Sequence, residues 1–264
     1  MRILFIGDIV GRPGVRLVQQ VLPGLRADRC IDLVIANAEN ATNGSGCAPS
    51  AFRQLRAAGV DLVTLGDHVY KKADIIGVMQ DETCICKPAN FPPTAPGREF
   101  ALASTAAGVT VAAVCLLGRT FMKSVDCPFQ AIDRLLTNLA GKAAVIVVDM
   151  HAEATADKYL MGHYLAGRVA AVLGTHTHVP TADEHIMPGG TAFICDVGMT
   201  GPYSGILGRK VEPILNAALT SIPSPFDVAE NDVRLGGAIV EIDVSTGRAT
   251  KIERIMVCAP ASSS

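Results

Sequence analysis

Val145-Ile146-Val147-Val148-Asp149-Met150-His151-Ala152-Glu153 is the stretch on which the fold turns. Four β-branched residues in a row suit a strand buried on both faces, because the pleat sends successive side chains to opposite sides. The apolar run then stops on an acid and an imidazole. The same pattern recurs along the chain. Ile3–Ile6 runs into Gly7-Asp8, and Leu33–Ala36 into Asn37-Ala38-Glu39-Asn40. Leu62–Leu65 runs into Gly66-Asp67-His68, and Val169–Leu173 into Gly174-Thr175-His176-Thr177-His178. Helical periodicity fills intervals between them: Val15–Leu25, Pro49–Ala58, Phe129–Leu139 and Thr155–Ala166, the last with Thr155 as N-cap. Strand alternating with helix predicts βαβ units and a mainly parallel sheet.

Other segments read differently. Thr191–Asp196 is a further strand, and Gly237–Val244 and Ala249–Val257 form a hairpin about Ser245-Thr246-Gly247. Phe100–Gly118 carries no charge, yet Ser104, Thr105, Gly108 and Thr110 break it as a membrane span. It reads as two strands around Ala106-Ala107-Gly108. These segments predict a second, more antiparallel sheet. Stacking the two gives an α/β fold, a four-layer α/β/β/α sandwich of two mixed sheets. One domain is expected over residues 1–258, with Ala259–Ser264 as a disordered tail and Ser221–Asn231 as a surface loop.

Composition narrows the function. The chain has 264 residues, 49% of them apolar, enough for a sizeable core. Its 23 basic and 25 acidic residues leave a net charge of −2, unlike a broad electrostatic nucleic-acid binder. Aromatic residues make up 5% and Trp is absent, which disfavours a stacking platform for single strands. The apolar start of the chain is too short for a signal peptide and is interrupted by Asp8. A soluble, cytoplasmic protein is expected, and the apolar content suits a homo-oligomer interface as well as core burial. The eight cysteines are scattered, and Cys84-x-Cys86 lacks the Cys-x-x-Cys spacing of a zinc site. They read as buried thiols in a reducing compartment.

Sites in open α/β sheets form at the carboxyl ends of strands. Here those ends deliver Asp8, Glu39, Asn40, Asp67, His68, His151, His176 and His178. Carboxylates with neutral imidazoles suit first-row divalent ions. The set exceeds what one four-coordinate zinc needs and fits two ions sharing one carboxylate. His176-x-His178, on a short turn, can send its imidazoles to different ions. His163 and His185 read as helix and surface residues. Asp149 and Glu153 read as hydrogen-bonded or solvated acids.

In this order the motifs resemble the calcineurin-like metallophosphoesterase superfamily. Gly7-Asp8-Ile9-Val10-Gly11, the run from Val148 to Thr155, Gly174–Val179 and Asp196-Val197-Gly198-Met199-Thr200-Gly201 are similar to the YmdB-like family of bacterial phosphodiesterases. The resemblance implies hydrolysis of small phosphodiesters, 2′,3′-cyclic nucleotides foremost, at two ions. Those ions are expected to be Fe and/or Mn, with Zn or Mg also compatible. Carried over by motif, Asp8, Asn40 and His178 hold one ion, and Asp67, His151 and His176 the other, with Glu39 as bridge. A metal-bound hydroxide attacks phosphorus, and His68 protonates the leaving alkoxide or only hydrogen-bonds a phosphate oxygen.

Two positions depart from what the resemblance implies. Val10 stands where common superfamily members carry a ligand His, a gap that Asn40 would fill. The family motif Gly-Asn-His is here Gly66-Asp67-His68. With Asp67, two divalent ions, three carboxylates and one hydroxide sum to about zero, against about +1 with Asn. That charge motivates one alternative to a diesterase, a slow or inactive metal-binding regulatory protein on the same fold; another dimetal hydrolase, acting on phosphomonoesters or amides, is the other.

Overall fold

The computed structural model describes residues 1–259. In chain order it contains β1 (Arg2–Ile6), β2 (Asp8–Ile9), α1 (Gly11–Asp28), β3 (Leu33–Asn37), α2 (Pro49–Ala57), β4 (Leu62–Thr64), α3 (Ile75–Asp81), β5 (Ile85–Cys86), β6 (Ala101–Ser104) and β7 (Thr110–Leu117). Then follow α4 (Pro128–Leu139), β8 (Val145–His151), α5 (Thr155–Leu165), β9 (Ala171–Thr175), β10 (His185–Met187), β11 (Thr191–Ile194), β12 (Met199–Pro202), α6 (Val211–Thr220), β13 (Val233–Asp243) and β14 (Arg248–Cys258).

The first sheet has the order β2-β12-β13-β1-β3-β4-β5, with β14 also on β13. β1, β3, β4 and β5 are parallel, and β13 is antiparallel to β1, β12 and β14. The second sheet has the order β10-β11-β9-β8-β7-β6, parallel through its four central strands and antiparallel at both edges. β13 pairs with β14 along its length, so β1 and β12 share its other edge. The chain bends at Gly7 to leave β12 that room. A Cβ at Gly7 would lie 1.9 Å from the Gly198 carbonyl oxygen, so only glycine fits the bend.

Side-chain alternation builds the layers. On β7, Val111, Ala113 and Leu117 enter the core shared with the first sheet. Ala112, Val114 and Leu116 enter a second core with Ile132, Leu135 and Leu139 of α4 and Met161 and Leu165 of α5. Burying each such side chain contributes about 1.5–3 kcal/mol. α1 packs on β12 and β13 with α2 beside it, completing four layers. On β8 the alternation sends Val145 and Val147 towards the first sheet. Asp149 and His151 keep that parity and so fall between the sheets, at their carboxyl edge.

The four-layer sandwich of two mixed sheets stands as read from the sequence. Its assignment of strands to sheets is corrected. The C-terminal hairpin belongs to the first sheet, and β8 and β9 to the second, which is mainly parallel. Apolar patterning tells which residues face a core, not which sheet a strand joins. β1 is buried on both faces and needs a partner on each edge, and β13 supplies one. Thr155 is the first helical residue of α5 rather than its cap, which is Ala154 without a side-chain bond. β2, β5, β10, β12, α3 and α6 escape the sequence reading. The first four are short, and α6 buries no residue. Residues 221–231 are free of helix and strand, although Val228 bridges to Arg209. The Ala259 amide is tied to the Val233 carbonyl, and the rest of the expected tail lies outside the described residues.

Phe100–Gly118 forms β6, β7 and their turn, and no described helix is long and apolar enough to cross a membrane. All eight cysteines are free thiols, and five are buried as expected, whereas Cys30 and Cys258 are exposed and Cys127 is half-buried. Burial pushes Cys47 and Cys86 up to about 12, which makes them poor nucleophiles and metal ligands.

Candidate metal centre

Every site residue read from the sequence reaches one place. Glu39, Asp67, His151 and His176 offer ligand atoms that all lie within 4.8 Å of one another. His151 Nε2 is at the centre, 3.4 Å from Glu39 Oε1, 3.2 Å from Asp67 Oδ1 and 3.1 Å from His176 Nδ1. Gly66 permits this closeness, since a Cβ there would sit 2.4 Å from both Glu39 Oε2 and His151 Nε2. A second group adjoins the first. His178 Nε2 is 4.0 Å from Asp8 Oδ1 and 3.3 Å from Asn40 Nδ2. Glu39 lies between the groups, accepting from Asn40 Nδ2 and from the His68 amide, each at 3.0 Å.

Asp8 is wholly buried. One oxygen accepts the His176 amide at 3.0 Å, while Oδ1 has no partner. An acceptor left unpaired in the interior is costly and marks a place for a cation. Burial pushes the Asp8 carboxyl up to about 6, against the pull of His178 and His151. For Glu39 and Asp67, burial also pushes upward, but the His151 imidazole outweighs it and holds both below their ordinary range. Burial disfavours the imidazolium of His151, yet Glu39, Asp67 and Asp8 together hold its proton on well above the usual range. A divalent ion bound here would take the place of that proton.

Behind His151 lies a buried network. Asp149 accepts from Asn37 Nδ2 at 3.0 Å and Thr64 Oγ1 at 2.6 Å, both from the first sheet, and from Thr175 Oγ1 at 2.5 Å on β9. Thr175 thus has its proton committed, and its oxygen accepts from His151 Nδ1 at 2.8 Å. Asn37 Nδ2 also approaches His151 Nδ1, at 3.3 Å, the weaker contact. The arrangement keeps a hydrogen on Nδ1 and leaves Nε2 for the cluster. Asp149→Asn puts an amide where an acceptor is needed, turns the Thr175 hydroxyl round to donate to Nδ1, and moves the ring hydrogen to Nε2. Metal affinity is expected to fall roughly 10–100-fold, measured by competition with a chelator. Unchanged affinity would remove Asp149 from this role.

Other partners orient the remaining imidazoles. His176 Nε2 is 3.2 Å from Glu153 Oε2, and His178 Nδ1 is 3.2 Å from the Leu207 carbonyl. His68 Nδ1 is 2.8 Å from Asn40 Oδ1. The Asn40 oxygen therefore faces His68 and its nitrogen faces Glu39 and His178, so ligation by Asn40 calls for a half-turn of its amide. A cavity of about 530 Å³ opens over the site, lined by Asn40, His68 and His178 together with Leu207 and Phe226. His163 and His185 lie elsewhere, on α5 and β10. The sequence reading missed the roles of Asn37, Thr64 and Thr175, although each ends a strand one to three residues before a residue it singled out.

Two stacked sheets with a carboxylate–imidazole cluster at their carboxyl edge define the metallophosphoesterase class of α/β sandwich. The donor set and the orphaned Asp8 oxygen fit a divalent cation. Within that class the chain belongs to the YmdB-like protein family, whose model matches residues 4–255. It is 44% identical over 257 residues to the 2′,3′-cyclic-nucleotide 2′-phosphodiesterase of Bacillus subtilis strain 168, spanning 97% of each chain. A crystal structure of a hypothetical protein from Thermus thermophilus superposes with a TM-score of 0.92 at 43% identity, covering 98% of this chain and all of that one. A Mycoplasma pneumoniae phosphatase gives a TM-score of 0.90 at 30% identity, covering 98% and 93%.

Proposed function

We propose that this chain is a dinuclear metal-dependent phosphodiesterase acting on small diesters, with 2′,3′-cyclic nucleotides as the leading substrates. The observation that carries the reading is the clustering of Glu39, Asp67, His151 and His176 beside His178 and Asp8, whose buried Oδ1 has no partner. Asp8, Asn40 and His178 would hold one ion, Asp67, His151 and His176 the other, and Glu39 both. Iron and manganese suit these donors best. Bound ions of that kind neutralise charge on phosphoryl oxygens and acidify water. The substrate named for the Bacillus relative supports the choice of a cyclic diester.

The protein's own groups account for the leaving side. Hydrolysis of a 2′,3′-cyclic nucleotide gives the water oxygen to phosphorus, breaks the bond to the ribose 2′ oxygen, and delivers a proton to that oxygen. His68 lines the cavity and is 30% exposed, so its Nε2 can reach a bound diester. Asn40 Oδ1 accepts from Nδ1, which leaves Nε2 as the ring atom that would give a proton to the leaving oxygen.

The test is metal content by elemental analysis, coupled to hydrolysis of 2′,3′-cyclic AMP and of an aryl phosphomonoester with added Mn or Fe. Two ions per chain with faster diester turnover supports the reading; one ion or none overturns it. Asp67 favours a second reading, a slow regulatory protein, because its carboxylate adds negative charge to the cluster, 3.8 Å from His68 Nε2. Under that reading Asp67→Asn raises diesterase activity, by restoring positive charge to the site. No rise, with turnover already good in the parent chain, would count against it.

A further inference from the structure

We propose that Lys158, Asp196 and Thr177 form a buried brace that aims the two imidazoles of the His176-Thr177-His178 turn, making Thr177 a positioning residue for metal capture. The proposal rests on the metal-centre reading above. Its starting point is backbone strain. His176 and His178 both sit at positive φ, 92° and 64°, a region that residues with a side chain seldom adopt. Two such residues flanking a third persist only where the surroundings fix them.

The surroundings do so through Thr177. Its amide and its hydroxyl both reach Asp196 Oδ2, at 3.2 and 2.6 Å. The hydroxyl oxygen also accepts from Lys158 Nζ at 3.1 Å, and Lys158 Nζ donates to Asp196 Oδ2 at 2.8 Å. Asp196 is wholly buried and Lys158 is 1% exposed. Their pairing is thus shielded from water, where a charge-assisted bond is strong and its loss severe. The other Asp196 oxygen accepts the Gly198 amide at 2.7 Å, tying the brace to the lead into β12. Thr177 points away from the cluster, while its neighbours point into it: His176 to Asp67 and His151, His178 to Asp8 and Asn40. Thr177 alone separates those two imidazoles in sequence, so the turn's aim depends on this hydroxyl and its two charged partners.

Thr177→Val keeps the shape of the side chain and removes the hydroxyl. The affinity of the chain for Mn²⁺ and Co²⁺, by chelator competition, is expected to weaken roughly 10–100-fold. The visible ligand-field spectrum of the Co²⁺-loaded chain should change as well. Thr177→Ser restores the hydroxyl and should recover both readouts. Lys158→Met removes the ammonium and should weaken binding in the same direction. Melting of the metal-free chain separates aim from stability. If Thr177→Val does not fold, the comparison of Thr177→Ala with Thr177→Ser carries the test. Parental affinity and spectrum in a folded chain without the hydroxyl would overturn the brace. A parent chain that takes up no ion would instead overturn the metal centre itself, and the brace with it.

Discussion

Replacing His68 with alanine is expected to lower kcat on 2′,3′-cyclic AMP by roughly 10²–10⁴, the usual contribution of a positioned acid or base. The ions should stay. His68 lines the cavity, and its ring stands 3.7 Å from Glu39 and 3.8 Å from Asp67, farther than His151 does at 3.4 and 3.2 Å. A ribose alkoxide is a poor leaving group without a proton, whereas a nitrophenolate leaves without one. The loss should therefore shrink markedly on an aryl diester with that leaving group. Steady-state kinetics on the two diesters with elemental analysis of the variant decide the matter. Equal losses on both substrates would assign His68 to phosphate binding, and a parallel loss of metal would deny it either role.

The second large effect is expected at Glu39. Its carboxylate is 1% exposed and faces His151 at 3.4 Å while accepting from the Asn40 amide and the His68 backbone. Glu39→Ala removes a carboxylate that contacts His151 of one group and Asn40 of the other, so both ions should be lost on dialysis. The orphaned Asn40 and His68 donors add a stability cost of about 1–3 kcal/mol each where they remain buried. Elemental analysis against the parent chain is the measurement, and full retention of two ions would contradict a bridging role. Calorimetry of the metal-free variant separates the stability cost from the lost metal.

The candidate site was largely legible because parallel strands end at a common edge. Once Ile3–Ile6, Leu33–Ala36, Leu62–Leu65 and Val145–Val148 are read as strands, the polar residues that follow them must meet. The supporting groups were not legible in the same way. Asp149 and Glu153 look alike in sequence, yet one is wholly buried among three donors and the other is half exposed beside His176. Lys158 falls on a helix whose pattern gives a lysine no reason to be inside. Its burial depends on Asp196 arriving just past the end of β11, a contact that local periodicity does not contain. The sheet membership of β8, β9 and the hairpin failed for the same reason: strand pairing is set by partners remote in sequence.

Asp149 joins hands with Asn37 and Thr64 on one sheet and Thr175 on the other. Its surroundings are complete only where the two sheets have closed over it. An ion held at the edge then resists their separation. At a free concentration a hundred times its dissociation constant it adds about 2.7 kcal/mol against global opening. Chelation would accordingly be felt as protease sensitivity throughout the molecule rather than as fraying of one loop.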